Sequence, residues 1–315
     1  MLQSRLHDLV LVRAALASCV CASTLLAACG SGSSGGAAAS PSPASTPLTM
    51  AIADSPLHGG GFIALDVQGN VYLSSGDGPN PHISKLSPSG QLLAQFTGFK
   101  GDAGVHGVAV DSQGNVYGAA QGGNDVVKFS PAGKLISRIG ASQIAVPGGL
   151  AVDSHDALYV ADEGGDAVEV FSPSGKLTRT IRGPFIRTRG LAVDAEGQLY
   201  VADHERGRVL KLDASGKQLA SWGQGLNGIS LSYPIEISLD GQGNVFVTDP
   251  GDMALQKLSP DGKLLAAWPA RDKHHPIGVA ALPDGTTFTT EDADDGKTAR
   301  VVERSPAGKE LVVWQ

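Results

Sequence analysis

Residues 149–177 read GLAVDSHDALYVADEGGDAVEVFSPSGKL, and this stretch decides the fold. Short runs of apolar β-formers alternate in it with turn chemistry. Asp153 opens a tight connection, because an aspartate carboxylate accepts bonds from the backbone two residues on. Ser172-Pro173-Ser174-Gly175 forms a second turn, in which proline presets φ and glycine takes the left-handed position. The runs GLAVD, LYVAD and AVEVF, followed by LTRTI at 177–181, then read as four antiparallel strands.

The same unit recurs along the chain. Asp66, Asp111, Asp153, Asp194 and Asp240 each open the first turn, and Leu282 holds the equivalent place in a sixth copy. The spacings are 45, 42, 41, 46 and 42 residues. Six positions on stands an aromatic: Tyr72, Tyr117, Tyr159, Tyr200, Phe246 or Phe288. The second turn recurs at 87–90, 130–133, 172–175, 213–216, 259–262 and 305–308, and an apolar slot follows it, filled by Phe96, Ile139, Ile181, Trp222, Trp268 or Trp314. Four strands per unit, at a period of 40–50 residues, predict an all-β, six-bladed β-propeller of four-stranded antiparallel blades.

These units resemble NHL repeats, through the pattern G-L-A-V-D-x-x-G-x-[LV]-Y-V-A-D followed by S-P-x-G-K-L, over residues 59–315. Blades 3 (149–183) and 4 (190–223) match best, and blade 6, with Leu282 and Thr286-Thr287, departs most. The resemblance implies the fold. It leaves function open, because propellers host binding modules, lyases and lactonases alike.

The amino-terminal part reads as an address. Arg5 and Arg13 precede an apolar run of small residues at 14–28, the length of a secretion signal and short of a membrane span. Leu26-Ala27-Ala28-Cys29 resembles the lipobox of bacterial lipoproteins, which implies acylation of Cys29 and anchorage of an exported protein to the cell envelope, at the outer membrane's periplasmic face or the cell surface. The expected organisation is a signal peptide at 1–28, a Gly/Ser/Ala/Pro tether at 29–47 and the propeller at 48–315. The 18 residues of 30–47 would reach roughly 24 Å as a flexible coil. Cys19 and Cys21 leave with the signal, so no free thiol remains for catalysis or metal binding. Residues 48–53 read as an extra outer strand beside the carboxy-terminal one, which is expected to complete blade 6.

A net charge of −7 argues against a nucleic-acid partner, which needs a concentrated basic surface. No G-x-S-x-G elbow, phosphate loop or dinucleotide fingerprint is present.

The topology puts the loops before each first strand and after each second strand on one rim around the axis, the default ligand face. Five residues before the repeat aspartate stand Gly61, His106, Gly148, Arg189, Ile235 and Ile277; nine after it stand Ser75, Ala120, Asp162, Asp203, Asp249 and Glu291. His58, Arg187, His204, Glu236, His274 and His275 lie nearby and complete the binding-face candidates. Asp162, Asp203 and Asp249 either cap their own loops through backbone N–H bonds or form an acidic ring at the mouth. Arg187 and Arg189 either pair with Asp203 or Glu205 or fork onto a ligand carboxylate. His106, His204 and His275 are the candidates for a zinc site with an open position. His106 also resembles, in its slot, the metal-binding histidines of the six-bladed peptidylglycine amidating lyases, while the equivalent slots here hold glycine, arginine and isoleucine. Residues 291–296 resemble a calcium loop with its glycine one position early.

The first expectation is a tethered, monomeric binding module that presents its rim to a peptide, glycan or protein ligand. The alternative is a metal-dependent propeller enzyme of the lyase or lactonase type, using zinc or calcium.

Overall fold

Each repeat aspartate explains its own conservation of spacing with the aromatic that follows. In the computed structural model, Asp111 accepts the backbone N–H groups of Gln113 and Asn115 at 3.0 and 2.8 Å, which closes the turn. Its second oxygen accepts the Asn115 amide at 2.8 Å and the Tyr117 hydroxyl at 3.0 Å. Lys128 approaches the same oxygen at 3.3 Å and lies 4.8 Å from the centre of the Tyr117 ring. Asp66, Tyr72 and Lys85 repeat this arrangement in blade 1. The carboxylate thus ties a turn to the two strands behind it, and in blades 1 to 4 the tyrosine six places away supplies the hydroxyl.

The structure describes residues 48–50, 61–76, 80–101, 103–225, 229–294 and 298–315. Their strands form six antiparallel sheets, each in chain order from the axis outward. The innermost strands are Ile63–Leu65, Val105–Val110, Pro147–Val152, Thr188–Val193, Ile237–Leu239 and His274–Ala281. The outermost are Leu92–Phe96, Leu135–Ile139, Leu177–Arg182, Gln218–Gly223, Leu264–Pro269 and Glu310–Trp314. The expected architecture is therefore the observed one.

Hydrophobic packing runs between blades as well as within them. Tyr159, Val168 and Ile181 of blade 3 share one buried cluster with Leu191, Leu199 and Leu210 of blade 4. The apolar slot after the second turn has a specific partner in five of the six blades, all but blade 1: it packs beneath the turn glycine of the next blade. A Cβ on Gly262 would lie 2.1 Å from Trp222 Nε1, and one on Gly308 1.9 Å from Trp268 Nε1. Trp314 sits in the same way under Gly90, so the lock that joins neighbours also joins the last blade to the first. Ile63, Val71 and Leu73 pack with Phe288, Val301 and Trp314 across that seam.

The extra amino-terminal strand lies where the sequence places it. Leu48–Met50 pairs in parallel with the outermost strand of blade 6, Leu48 opposite Val312 and Met50 opposite Trp314, making a fifth strand there. Residues 51–53 lie outside the described residues, as do residues 1–47, where the signal and tether are expected.

Around the axis the inner strands converge so closely that four of the six blades have glycine at one level. Gly107, Gly149, Gly190 and Gly278 occupy the slot four before the repeat position. A Cβ on Gly190 would lie 2.3 Å from the Ile235 carbonyl oxygen, and one on Gly149 2.4 Å from that of Arg189. The pairing register of the inner strand shifts there in those four blades. Below this level the six inner strands line an open axial cavity of about 270 Å³.

Candidate functional site

The rim above the cavity holds a polar cluster drawn from blades 2 to 5. Glu163 follows the second strand of blade 3 directly, and its carboxylate leans over Gly148. A Cβ there would meet Glu163 Oε1 at 2.7 Å, so the glycine is what admits the acid. Glu163 Oε2 stands 3.6 Å from Arg189 Nε of blade 4, and Oε1 stands 3.9 Å from His106 Nδ1 of blade 2. Glu163 is 9% exposed and His106 7%. Glu163 Oε1 and Arg189 Nε are buried and have no hydrogen-bond partner among the described residues. Opposite charges are held close enough to attract, yet the groups remain open to a further bond.

The flanking groups fix this geometry. Gln121 Nε2 donates to His106 Nδ1 at 2.9 Å, and the imidazole stacks on Phe62 with ring centres 5.9 Å apart. His204 opens a short 3₁₀ turn after the second strand of blade 4 and donates from Nδ1 to the Pro234 carbonyl at 3.2 Å. Burial and the neighbouring Arg189 charge lower its pKa, which favours the neutral ring. Tyr233, 54% exposed, stands 5.4 Å from that ring. The mouth therefore offers one carboxylate, one guanidinium, two imidazoles and an exposed phenol, a set suited to a polar ligand carrying both charges.

The other candidates fall elsewhere. Asp162 accepts the N–H groups of Ala145, Val146 and Gly165. Asp203 accepts that of Ile186 and pairs with Arg208 at 2.8 Å. Asp249 accepts those of Ser232, Tyr233 and Gly251; burial pushes its carboxyl up against these bonds. All three tie the loop before the first strand to the end of the second, and no acidic ring forms from them. Arg187 pairs with Glu205 at 2.8 Å in an exposed bridge, and its backbone, at φ 50°, is held by a bond to Asp166. Glu291, 1% exposed, is no rim group. It lies inside blade 6 between Arg304 at 2.6 Å and Arg300 at 2.8 Å. Burial pushes its carboxyl up, and the two guanidinium charges outweigh that and leave it below the ordinary range.

The three histidines proposed for zinc are kept apart. His275 donates from Nε2 to the Asp294 carboxylate at 2.7 Å in blade 6, a bond that raises its pKa. His274 contacts the carbonyls of Arg271 and Asp272 in its own turn. Among the described residues no three His, Cys, Asp or Glu side chains converge on a common point. His58, Cys29 and residues 295–296 of the calcium-like segment lie outside the described residues.

Residues 187–212, the core of blade 4, match the family model described as NHL repeat. The chain is a six-bladed β-propeller that carries an NHL repeat in blade 4. Solved structures of similar fold include a streptogramin B lyase, 15% identical, with 83% of this chain and 84% of that chain covered at a TM-score of 0.63. A virginiamycin B lyase from Staphylococcus aureus is 13% identical, with 80% and 97% covered at 0.59. A chain of the nidogen/laminin complex is 17% identical, with 78% and 98% covered at 0.60. At these identities the likeness shows the fold alone. No curated protein matches the chain in sequence.

In this propeller the residue that sequence reasoning missed is Glu163. It stands ten positions after the repeat aspartate, a slot that also holds Gln121, His204 and Asp292. Comparing that slot across blades, rather than the repeating acid just before it, picks out the polar ring.

Proposed function

We propose that this propeller is an extracytoplasmic binding module, tethered through a lipidated Cys29, whose rim takes a peptide, glycan or protein ligand at Glu163, Arg189, His106 and His204. The observation that carries the reading is the Glu163–Arg189 pair, in which the buried Glu163 Oε1 and Arg189 Nε have no hydrogen bond among the described residues. A ligand amine and carboxylate would complete both groups, and Tyr233 would add an amphipathic surface of the kind enriched in binding sites. The Leu-Ala-Ala-Cys sequence and the low-complexity stretch after it support the tether.

Peptide and glycan arrays probed with the purified protein test the rim. Ligands are expected to be retained by the wild type and lost, by tenfold or more in affinity, in Glu163→Gln and Arg189→Ala; unchanged profiles for both variants would remove the assignment. Cys29→Ala is expected to move the protein from the membrane to the soluble fraction, and continued sedimentation with membranes would count against the anchor.

A second reading, an enzyme of the lyase or lactonase type, draws on the streptogramin B lyase fold likeness and on the carboxylate–imidazole pair of Glu163 and His106. The described donors do not assemble into a metal cage, so no step through zinc or calcium is derived. Turnover of a cyclic lactone panel, lost in Glu163→Gln, would favour this reading over the first.

A further inference from the structure

Glu236 stands apart from the rim cluster. It precedes the inner strand of blade 5 directly, at the slot that is glycine in blades 2, 3, 4 and 6 and Phe62 in blade 1. It is 5% exposed and borders the axial cavity, where it is the one ionisable side chain among the described lining residues. Its carboxylate accepts the backbone N–H of Ile237, and among the described residues no Lys, Arg or His pairs with it. Burial without a counter-charge disfavours the ionised form and pushes the pKa well above the ordinary range. Four blades close with glycine at this level, so the fold has no need of an acid there.

The wall around that acid is backbone. The aliphatic side chains of the inner strands turn into the clusters between blades, where Ile63, Val108, Leu150, Leu191, Ile237 and Val279 each belong to a different one. Each inner strand has one sheet neighbour, on its outer side. In blade 3 Asp153 donates its N–H to the Ala157 carbonyl across the first turn, and an antiparallel strand alternates the edge that its groups face. Ala151 therefore faces the second strand, while Leu150 and Val152 turn their N–H and C=O groups to the axis. The same bond recurs at Asp66, Asp111, Asp194, Asp240 and Leu282. The six strands thus present two rings of backbone groups to the cavity, one at the level of Leu150 and one at that of Val152. Two of the N–H groups are already taken, that of Ile237 by Glu236 and that of Ala281 by the Ser238 hydroxyl at 2.9 Å. Carbonyl oxygens are left in excess, beside a carboxylate. An acid held without a partner among oxygen acceptors has the character of a cation ligand.

We propose that the axial cavity binds a metal cation through oxygen alone, with Glu236 and carbonyls of the inner strand edges as its protein ligands and water completing the shell. Carboxylate, carbonyl and water oxygens suit hard cations of the calcium and potassium kind. No imidazole or thiolate among the described lining residues would draw zinc instead. The ion supplies the counter-charge that Glu236 lacks, and because the backbone provides the other oxygens, no second acidic side chain has to converge on it. A volume of about 270 Å³ has room for an ion with several waters, each of which takes roughly 30 Å³ in the liquid. Glu163 and Arg189 do not border this cavity, so the site stands or falls without the rim cluster.

The test titrates calcium chloride and, separately, potassium chloride into the chelator-treated full-length protein by calorimetry, in a buffer free of metal ions. Saturable binding of one ion per chain is expected; calcium alone would mark a divalent site and potassium alone a monovalent one. Glu236→Gln and Glu236→Gly are each expected to weaken that binding at least tenfold. Asp292→Asn, in the acidic segment of blade 6, is expected to keep affinity within twofold. No saturable binding of either ion, full affinity in both Glu236 variants, or a loss that follows Asp292 in place of Glu236 would each overturn the proposal. The glycine variant gives blade 5 the residue that four other blades carry at this slot, so it decides the matter even where the glutamine variant folds poorly.

Discussion

At the scale of single residues, the chain separates acids that hold structure from acids that face a ligand by what surrounds them. Asp162 collects three backbone N–H groups, whereas its neighbour Glu163 meets a guanidinium and an imidazole without a hydrogen bond to either. Both residues were visible in the sequence as acids at the end of a strand. Which one turns toward the loop and which toward the mouth depends on Gly148 and Arg189, contributed by other strands, and that pairing crosses the boundary between repeats. Glu236 was legible as a rim acid, but its solitude was not, because the groups that fail to reach it come from five other blades. Its raised pKa has a thermodynamic consequence. A group whose folded pKa lies above its unfolded value supports stability at low pH and withdraws it as pH rises through the folded pKa. Glu236→Gln removes that liability. Thermal unfolding is expected to show the variant close to wild type at pH 4.5 and more stable by about 1–3 kcal/mol at pH 8. A difference that does not grow with pH would show that the carboxylate is compensated.

At the scale of the element, the turn and the apolar slot behind it form one device that joins blades. Gly308 has φ +82° and lies against Trp268, and Gly133 has φ +85° with nothing within 4 Å of its Cβ position. Backbone strain from alanine is therefore common to both, roughly 1–2 kcal/mol for the left-handed conformation. The steric clash belongs to Gly308 alone. Gly308→Ala is expected to cost about 1–3 kcal/mol more than Gly133→Ala, the penalty of overpacking, measured by chemical denaturation. Equal costs would mean that Trp268 can swing aside. The turns themselves were readable because every ingredient is local: a serine or aspartate, a proline or small residue, a glycine, in sequence order. The identity of the side chain beneath each glycine was not, since it comes from the preceding blade. Blade 6 shows the same limit from the other side. Its Glu291, assigned by slot to the rim, is drawn into the sheet by Arg300 and Arg304; blade 4 has Arg208 at the place of Arg300, but only blade 6 has an arginine at the place of Arg304.

At the scale of the molecule, no blade has a complete core of its own; the buried clusters are shared by neighbours, as between blades 3 and 4 and across the seam of blades 6 and 1. Closing the ring gives each blade two such neighbours, which an open array denies to its ends. Trp314, 1% exposed, packs at the seam with Phe288 at 5.7 Å and lies under Gly90. Trp314→Ala is expected to lower stability by about 3–5 kcal/mol while unfolding remains a single transition. A separate early transition would show that the ring opens at blades 6 and 1 before the rest melts. The number of blades followed from counting repeats.

The parallel pairing of Leu48–Met50 with Glu310–Trp314 also fixes a direction. The outer strand climbs from the Ser305–Gly308 turn toward the mouth, and Leu48–Met50 runs the same way. Leu48 therefore enters the sheet at the end that bears the turns, and Glu163 and Arg189 open at the opposite end of the blades.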